Sequence, residues 1–112
     1  MQFPWYKKCL SYFYEIPIEE RTSAFSKKLS VSLHKGRIKL STEKAIYSEA
    51  DHYYNFVEVF RKIEFNPDQI YHILVLGLGL GSIPYMLQRK FHIQANYDLV
   101  EIDPVVIHLF NH

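Results

Sequence analysis

Cysteine, glycine and long apolar runs are all scarce in this chain of 112 residues. Cys9 is the only cysteine, which excludes an intramolecular disulfide and a cysteine-based metal site. No stretch approaches the roughly 18 apolar residues that a membrane span needs, and no segment has the pattern of a signal peptide. The net charge of only +1 gives no argument for nucleic acid or an anionic membrane as the main partner. We therefore expect a cytoplasmic protein with a small-molecule substrate, and a homodimer stays open.

The pattern between residues 29 and 40 predicts a β-hairpin. Apolar and polar residues alternate on both sides of the dipeptide Lys35-Gly36. A two-residue loop there would pair Leu33 with Ile38 on one face of the hairpin, and Gly36 would supply the positive φ that such loops require.

The hairpin belongs to a first region, residues 1–65, that we expect to be a small β-region followed by a helix. The aromatic segment 5–14 is expected to pack on the body of the protein, with its lysines in water. Residues 17–28 are interpreted as a connection, and residues 44–50 could add a third strand. The period changes over residues 51–63, where an apolar stripe predicts a helix.

The second region, residues 66–112, has a different order of elements. Asn66 and Pro67 have the pattern of a helix cap followed by a first helical residue. The predicted order is then strand, helix, strand and helix, over residues 72–78, 82–91, 97–103 and 103–112. Because the first strand is continuously apolar and the connections are short, we expect parallel strands buried on both faces. The predicted fold is thus α/β: a small N-terminal β-hairpin region followed by the start of a Rossmann-like parallel sheet (β-α-β-α), which the chain ends before completing.

Three of the four glycines lie within five residues, directly after the first predicted strand of this second region. Gly77 would make a tight turn, Gly79 would let a ligand approach the backbone, and Gly81 would let the helix pack close to the strand. Glu101 ends the next strand, where its carboxylate could accept hydrogen bonds from both hydroxyls of a ribose. No Gly-Lys-Ser/Thr sequence follows the turn, which excludes a P-loop.

The spacing G-x-G-x-G followed by "LVEIDP" resembles the class I S-adenosylmethionine-dependent methyltransferase superfamily. More narrowly, "VEIDPVVI" is similar to the spermidine synthase (polyamine aminopropyltransferase) branch. The stretch "GRIKLSTEKAIYSEADHYY" also resembles the part of that family that runs from a hairpin to a Tyr-x-Glu segment. The resemblance covers about residues 29–110 and is firmest over residues 73–108. It implies that the chain is the N-terminal portion of a longer protein.

The resemblance implies a cofactor, S-adenosylmethionine or its decarboxylated form, and a set of residues that would hold it. The implied cofactor-binding residues are Gly77, Leu78, Gly79, Gly81, Glu101 and Ile102. Asp103 is expected to cap the next helix rather than to contact the ligand. Two positions depart from the family pattern: Leu80 replaces an acidic residue, and Ser48 replaces a larger polar one. The missing carboxylate at position 80 argues against a true polyamine synthase.

The leading functional hypothesis is therefore a transferase, spermidine synthase-like or a methyltransferase, of unassigned substrate. The alternatives are an NAD(P)-binding oxidoreductase of Rossmann type and a non-catalytic interaction domain. The catalytic base of the resembled family lies beyond the segment that matches, so no catalytic residue is assigned and the chain alone is expected to be inactive. His108 and His112 are four residues apart, but without a third ligand they do not predict a metal site.

Overall fold

The structure is a computed structural model that describes residues 2–112. It contains four helices, one 3₁₀ turn and six strands. The strands are β1 (Ile16–Arg21), β2 (Leu29–His34), β3 (Arg37–Ser41), β4 (Ile46–Glu49), β5 (Ile70–Leu76) and β6 (Gln94–Val100). The helices are α1 (Trp5–Leu10), α2 (Tyr54–Arg61), α3 (Ser82–Arg89) and α4 (Pro104–Asn111), and the 3₁₀ turn is Ala50–His52. No helix within residues 2–112 is both long enough and apolar enough to cross a membrane.

The predicted hairpin is confirmed as the centre of a larger sheet. Strands β2 and β3 are antiparallel, and Leu33 is paired with Ile38 as expected. The loop residues Lys35 and Gly36 both have positive φ, 48° and 74°, which suits a two-residue hairpin turn. Strand β4 is the third strand that residues 44–50 could supply, and it pairs with β3.

The prediction of a Rossmann-like parallel sheet is wrong. The main sheet is antiparallel, with four strands in the order β1-β2-β3-β4, and the parallel sheet of residues 2–112 has only the two strands β5 and β6. Helix α3 connects these two strands. Strand β5 is also not buried on both faces, because Leu74 is 60% exposed and Leu76 is 74% exposed while Val75 is buried. The apolar run alone could not tell which face of β5 would be covered.

Two smaller expectations are also wrong. The segment interpreted as a connection contains most of strand β1, which pairs with β2. Asn66 and Pro67 lie in a turn and not at the start of a helix. In this turn the Asn66 side chain accepts a hydrogen bond from the Asp68 N–H. The N-terminal segment 5–14 contacts the hairpin as expected, because Ser11 is buried and its hydroxyl accepts a 2.8 Å hydrogen bond from the Gly36 N–H. Its contact is made through Ser11 rather than through the aromatic rings of α1, since no residue of α1 is buried and Phe13 is 80% exposed.

The hydrophobic core joins the two regions of the chain. Leu29, Val31 and Leu40 of the antiparallel sheet form one buried cluster with Val106 and Leu109 of α4. Helix α4 therefore lies against the antiparallel sheet and anchors the segment that follows β6. Asp103 begins this helix as predicted, because its carboxylate accepts a 2.9 Å hydrogen bond from the backbone N–H of residue 105.

Candidate functional site

The glycine loop and Glu101 lie side by side at the carboxyl ends of β5 and β6. The parallel register pairs Leu76 with Val100, so the residues that follow both strands emerge at the same edge. The N–H of Gly77 extends this pairing by donating a 2.8 Å hydrogen bond to the Val100 carbonyl. The structure thus brings the loop of residues 77–81 and the acidic strand end together, as the sequence interpretation required.

The Glu101 carboxylate accepts three backbone hydrogen bonds. Its Oε2 accepts from the N–H of Leu78 at 2.9 Å and, more weakly, from the N–H of Gly79 at 3.4 Å. Its Oε1 accepts from the N–H of Asp103 at 3.0 Å. Glu101 therefore links the glycine loop, the end of β6 and the beginning of α4, a role that the sequence analysis did not anticipate.

Each of the three loop glycines has positive φ, but their surroundings differ. Gly77 has φ 84° and no atom within 4 Å of the position that a Cβ would occupy. A Cβ on Gly79 would lie 2.9 Å from the Cβ of Ser48, and one on Gly81 would lie 2.7 Å from the ring of Phe110. Only Gly77 faces open space. The predicted open approach at Gly79 is replaced by packing against β4, and the close packing predicted for Gly81 involves α4 rather than β5.

Two serines connect the loop region to the antiparallel sheet. The buried hydroxyls of Ser48 and Ser82 lie 2.6 Å apart, and Ser82 Oγ also accepts a 3.0 Å hydrogen bond from the N–H of Glu49. Ser48 is also the residue that limits the space at Gly79, because a Cβ on Gly79 would lie 2.9 Å from the Ser48 Cβ. The proximity of Ser48 to Gly79 was not visible in the sequence.

The remaining predicted contact residues lie at the same edge with different exposures. The Leu78 side chain is 8% exposed, so this residue presents its backbone rather than its side chain. Ile102 is 74% exposed and extends beyond Glu101 into solvent. Gly77 and Ile102 are therefore both exposed at this edge of the parallel sheet. Glu101, which directly precedes Ile102, is part-buried.

A cluster of charged side chains at the hairpin end was missed by the sequence analysis. Arg37 Nε donates a 2.6 Å hydrogen bond to Asp51, and His34 Nδ1 lies 2.8 Å from Glu49 Oε1. Burial alone would raise the pKa of Asp51, but the hydrogen bond and charge of Arg37 outweigh it and lower the pKa. Burial, with a smaller contribution from the charge of Arg37, lowers the pKa of His52. Each pair joins residues 14 or 15 positions apart, a spacing that no helical or strand period predicts.

Comparison of the chain with family profiles, with curated protein sequences and with solved structures gives no match. The functional argument therefore depends on the residues and on their geometry.

Proposed function

We propose that the edge formed by the loop of residues 77–81 and Glu101 binds an S-adenosylmethionine-type ligand, and that the protein is a transferase of unassigned substrate. The observation that carries this proposal is the juxtaposition of a carboxylate with an open, left-handed glycine at Gly77. A carboxylate can accept hydrogen bonds from both hydroxyls of a ribose, and the absence of a side chain at Gly77 leaves room beside it.

The three hydrogen bonds that Glu101 already accepts constrain which ligand fits. A ribose that takes over Glu101 Oε2 leaves the N–H groups of Leu78 and Gly79 without their acceptor. An unsatisfied buried donor costs about 1–3 kcal/mol. A ligand that carries its own carboxylate can accept from these N–H groups in exchange. This supports S-adenosylmethionine over its decarboxylated form.

In such a complex the residues of the chain would hold and orient the ligand. Glu101 would bind the ribose hydroxyls, the Leu78 and Gly79 N–H groups would bind the amino-acid carboxylate, and Ile102 would offer an apolar contact. The ligand's sulfonium makes an adjoining carbon electrophilic, so that positioning supplies much of the catalysis. Because Leu80 replaces an acidic residue, the loop has no carboxylate that could bind an amino group near the sulfonium. This favours methyl transfer over aminopropyl transfer.

A non-catalytic interaction domain is the second candidate, and one observation favours it. Gly79 and Gly81 have packing reasons to be glycine, and all three hydrogen bonds of Glu101 are to its own chain. Under this hypothesis the loop is structural, and no adenosyl ligand binds. The NAD(P)-dependent oxidoreductase remains an alternative that the same edge would serve.

Isothermal titration calorimetry with S-adenosylmethionine tests the proposal. We expect wild-type protein to bind it, and Glu101→Gln to weaken binding by about tenfold to a hundredfold, because a hydrogen bond to a charged group contributes about 1.5–3 kcal/mol. Glu64→Gln is the matched control, since Glu64 is exposed and far along the chain from the loop. Circular dichroism should first establish that both variants fold.

Two further titrations separate the alternatives. 5′-Methylthioadenosine, which lacks the amino-acid carboxylate, should bind more weakly than S-adenosylmethionine. Binding of NAD without binding of S-adenosylmethionine would support the oxidoreductase. Absence of binding by either ligand, or equal affinity of wild type and Glu101→Gln, would contradict the ribose role and support the interaction domain.

A further inference from the structure

A groove of about 510 Å³ lies between the β2–β3 hairpin and helices α3 and α4. Its volume is within the range of about 300–1,000 Å³ that is typical of small-molecule sites. The groove reaches the far end of the glycine loop at Leu80 and Gly81, whereas Gly77 and Glu101 are not among its lining residues. The groove therefore shares the end of the loop, but neither Gly77 nor Glu101, with the edge to which we assign the adenosyl ligand.

The walls of this groove are mainly apolar. They include side chains from the hairpin, the loop, α3 and α4: Leu33, Ile38, Leu80, Pro84, Leu109 and Phe110. An apolar or aromatic body would displace water from such walls, and the burial of apolar surface favours binding.

The charged side chains that line the groove all belong to basic residues. Lys8 and Arg37 both line it, and no aspartate or glutamate does so among the described residues. Arg37 is hydrogen-bonded to Asp51 through Nε, while Lys8 makes no salt bridge with any residue of the described part of the chain. Because the charge of Arg37 is balanced by Asp51, Lys8 is the side chain that gives the rim of the groove its positive charge.

We propose that this groove binds a small molecule that combines an apolar or aromatic body with a carboxylate. The carboxylate would lie near Lys8 and Arg37, and the body would lie along the apolar walls. A polyamine has the opposite chemistry, because its ammonium groups would lie near Lys8 in a groove that no aspartate or glutamate of the described residues lines. The proposal does not depend on adenosyl binding at Glu101, since the two sites share neither Glu101 nor Gly77.

Nuclear magnetic resonance of the glycine amides can test this with 2-naphthoate as the probe. Gly36 and Gly81 line the groove, and Gly77 does not. We expect 2-naphthoate to shift the amide signals of Gly36 and Gly81 in a saturable way and to leave Gly77 unchanged. Lys8→Gln should weaken binding about threefold to tenfold, because an exposed ammonium is partly screened by water. Lys62→Gln is the matched control, since Lys62 is exposed and does not line the groove.

The charge requirement is tested with 2-naphthylmethylamine, which keeps the aromatic body and reverses the charge. Equal or tighter binding of this cation would overturn the proposal, as would the absence of a Gly36 shift with 2-naphthoate. Equal affinity of Lys8→Gln and wild type would also overturn it. A failure to bind S-adenosylmethionine in calorimetry would refute the proposed function without changing any of these results.

Discussion

Replacement of Gly79 by alanine tests how the glycine loop packs against β4. Gly79 has φ 55°, and an added Cβ would lie 2.9 Å from the Ser48 Cβ and 3.4 Å from the Tyr47 carbonyl oxygen. The left-handed conformation costs an alanine about 1–2 kcal/mol, and overpacking costs about 1–3 kcal/mol more. We therefore expect Gly79→Ala to lower the free energy of unfolding by about 2–5 kcal/mol. Urea denaturation followed by circular dichroism measures this loss.

Gly77→Ala separates the two contributions. Gly77 has φ 84° but no neighbour within 4 Å of an added Cβ, so only the conformational cost of about 1–2 kcal/mol applies. The difference between the two alanine variants then reports the collision with β4. The double variant Gly79→Ala, Ser48→Gly removes the obstructing Cβ, and we expect it to lose less stability than the two single variants added together.

Two results would refute this account of the loop. Equal destabilisation by Gly77→Ala and Gly79→Ala would mean that Ser48 does not limit the space at Gly79. Strict additivity in the double variant would lead to the same conclusion, because residues in contact are expected to couple.

Three further predictions concern pH and burial. The pKa of Asp51 is lowered from 3.8 in the folded state, so the ionised carboxylate stabilises the fold above about pH 4 and this stabilisation is lost at lower pH. When the pH falls from 5 to 3, Asp51→Asn should therefore lose less stability than wild type, as measured by urea denaturation. The pKa of His52 is lowered from 6.5 by burial, so unfolding takes up a proton below about pH 6.5 and the protein loses stability as the pH falls. His52→Gln should reduce this loss of stability between pH 7.5 and pH 5.5. An unchanged loss would contradict the burial of this ring. On β5, Leu76 is exposed and Val75 is buried, so Leu76→Ser should change stability by less than about 0.5 kcal/mol, whereas Val75→Ala should cost about 1–3 kcal/mol. Similar losses in the two variants would refute the one-sided burial of the strand.

Structure that depends on neighbouring residues was predictable from the sequence. The hairpin follows from alternating polarity and a two-residue loop whose backbone needs positive φ, and both features lie within residues 29–40. The start of α4 follows from Asp103 and Pro104, because the cap is completed by a hydrogen bond over two residues. The meeting of the glycine loop with Glu101 was also anticipated, since it requires only two parallel strands in register.

Structure that depends on distant residues was not predictable. Strand β1 contains Pro17 and a charged second half, so its sequence resembles a connection; it is nevertheless the edge strand of its sheet, where proline is tolerated. The apolar run of β5 predicted burial on two faces, but the number of faces covered depends on which elements pack there. The role of Gly79 depends on Ser48, which is 31 positions earlier in the chain.

The interactions that hold the loop determine whether Glu101 can serve a ligand. If Glu101 alone shaped the loop, a ribose that displaced its hydrogen bonds would also disorder the residues that should bind the rest of the ligand. The loop has other supports: the Gly77 N–H is paired with the Val100 carbonyl, Gly79 packs on β4, and the Ser48–Ser82 contact holds the start of α3. Because these contacts do not involve the carboxylate, the loop can keep its shape while Glu101 exchanges its partners. A preformed loop lowers the ordering cost of binding, so the antiparallel sheet would support the proposed adenosyl site without contacting the ligand.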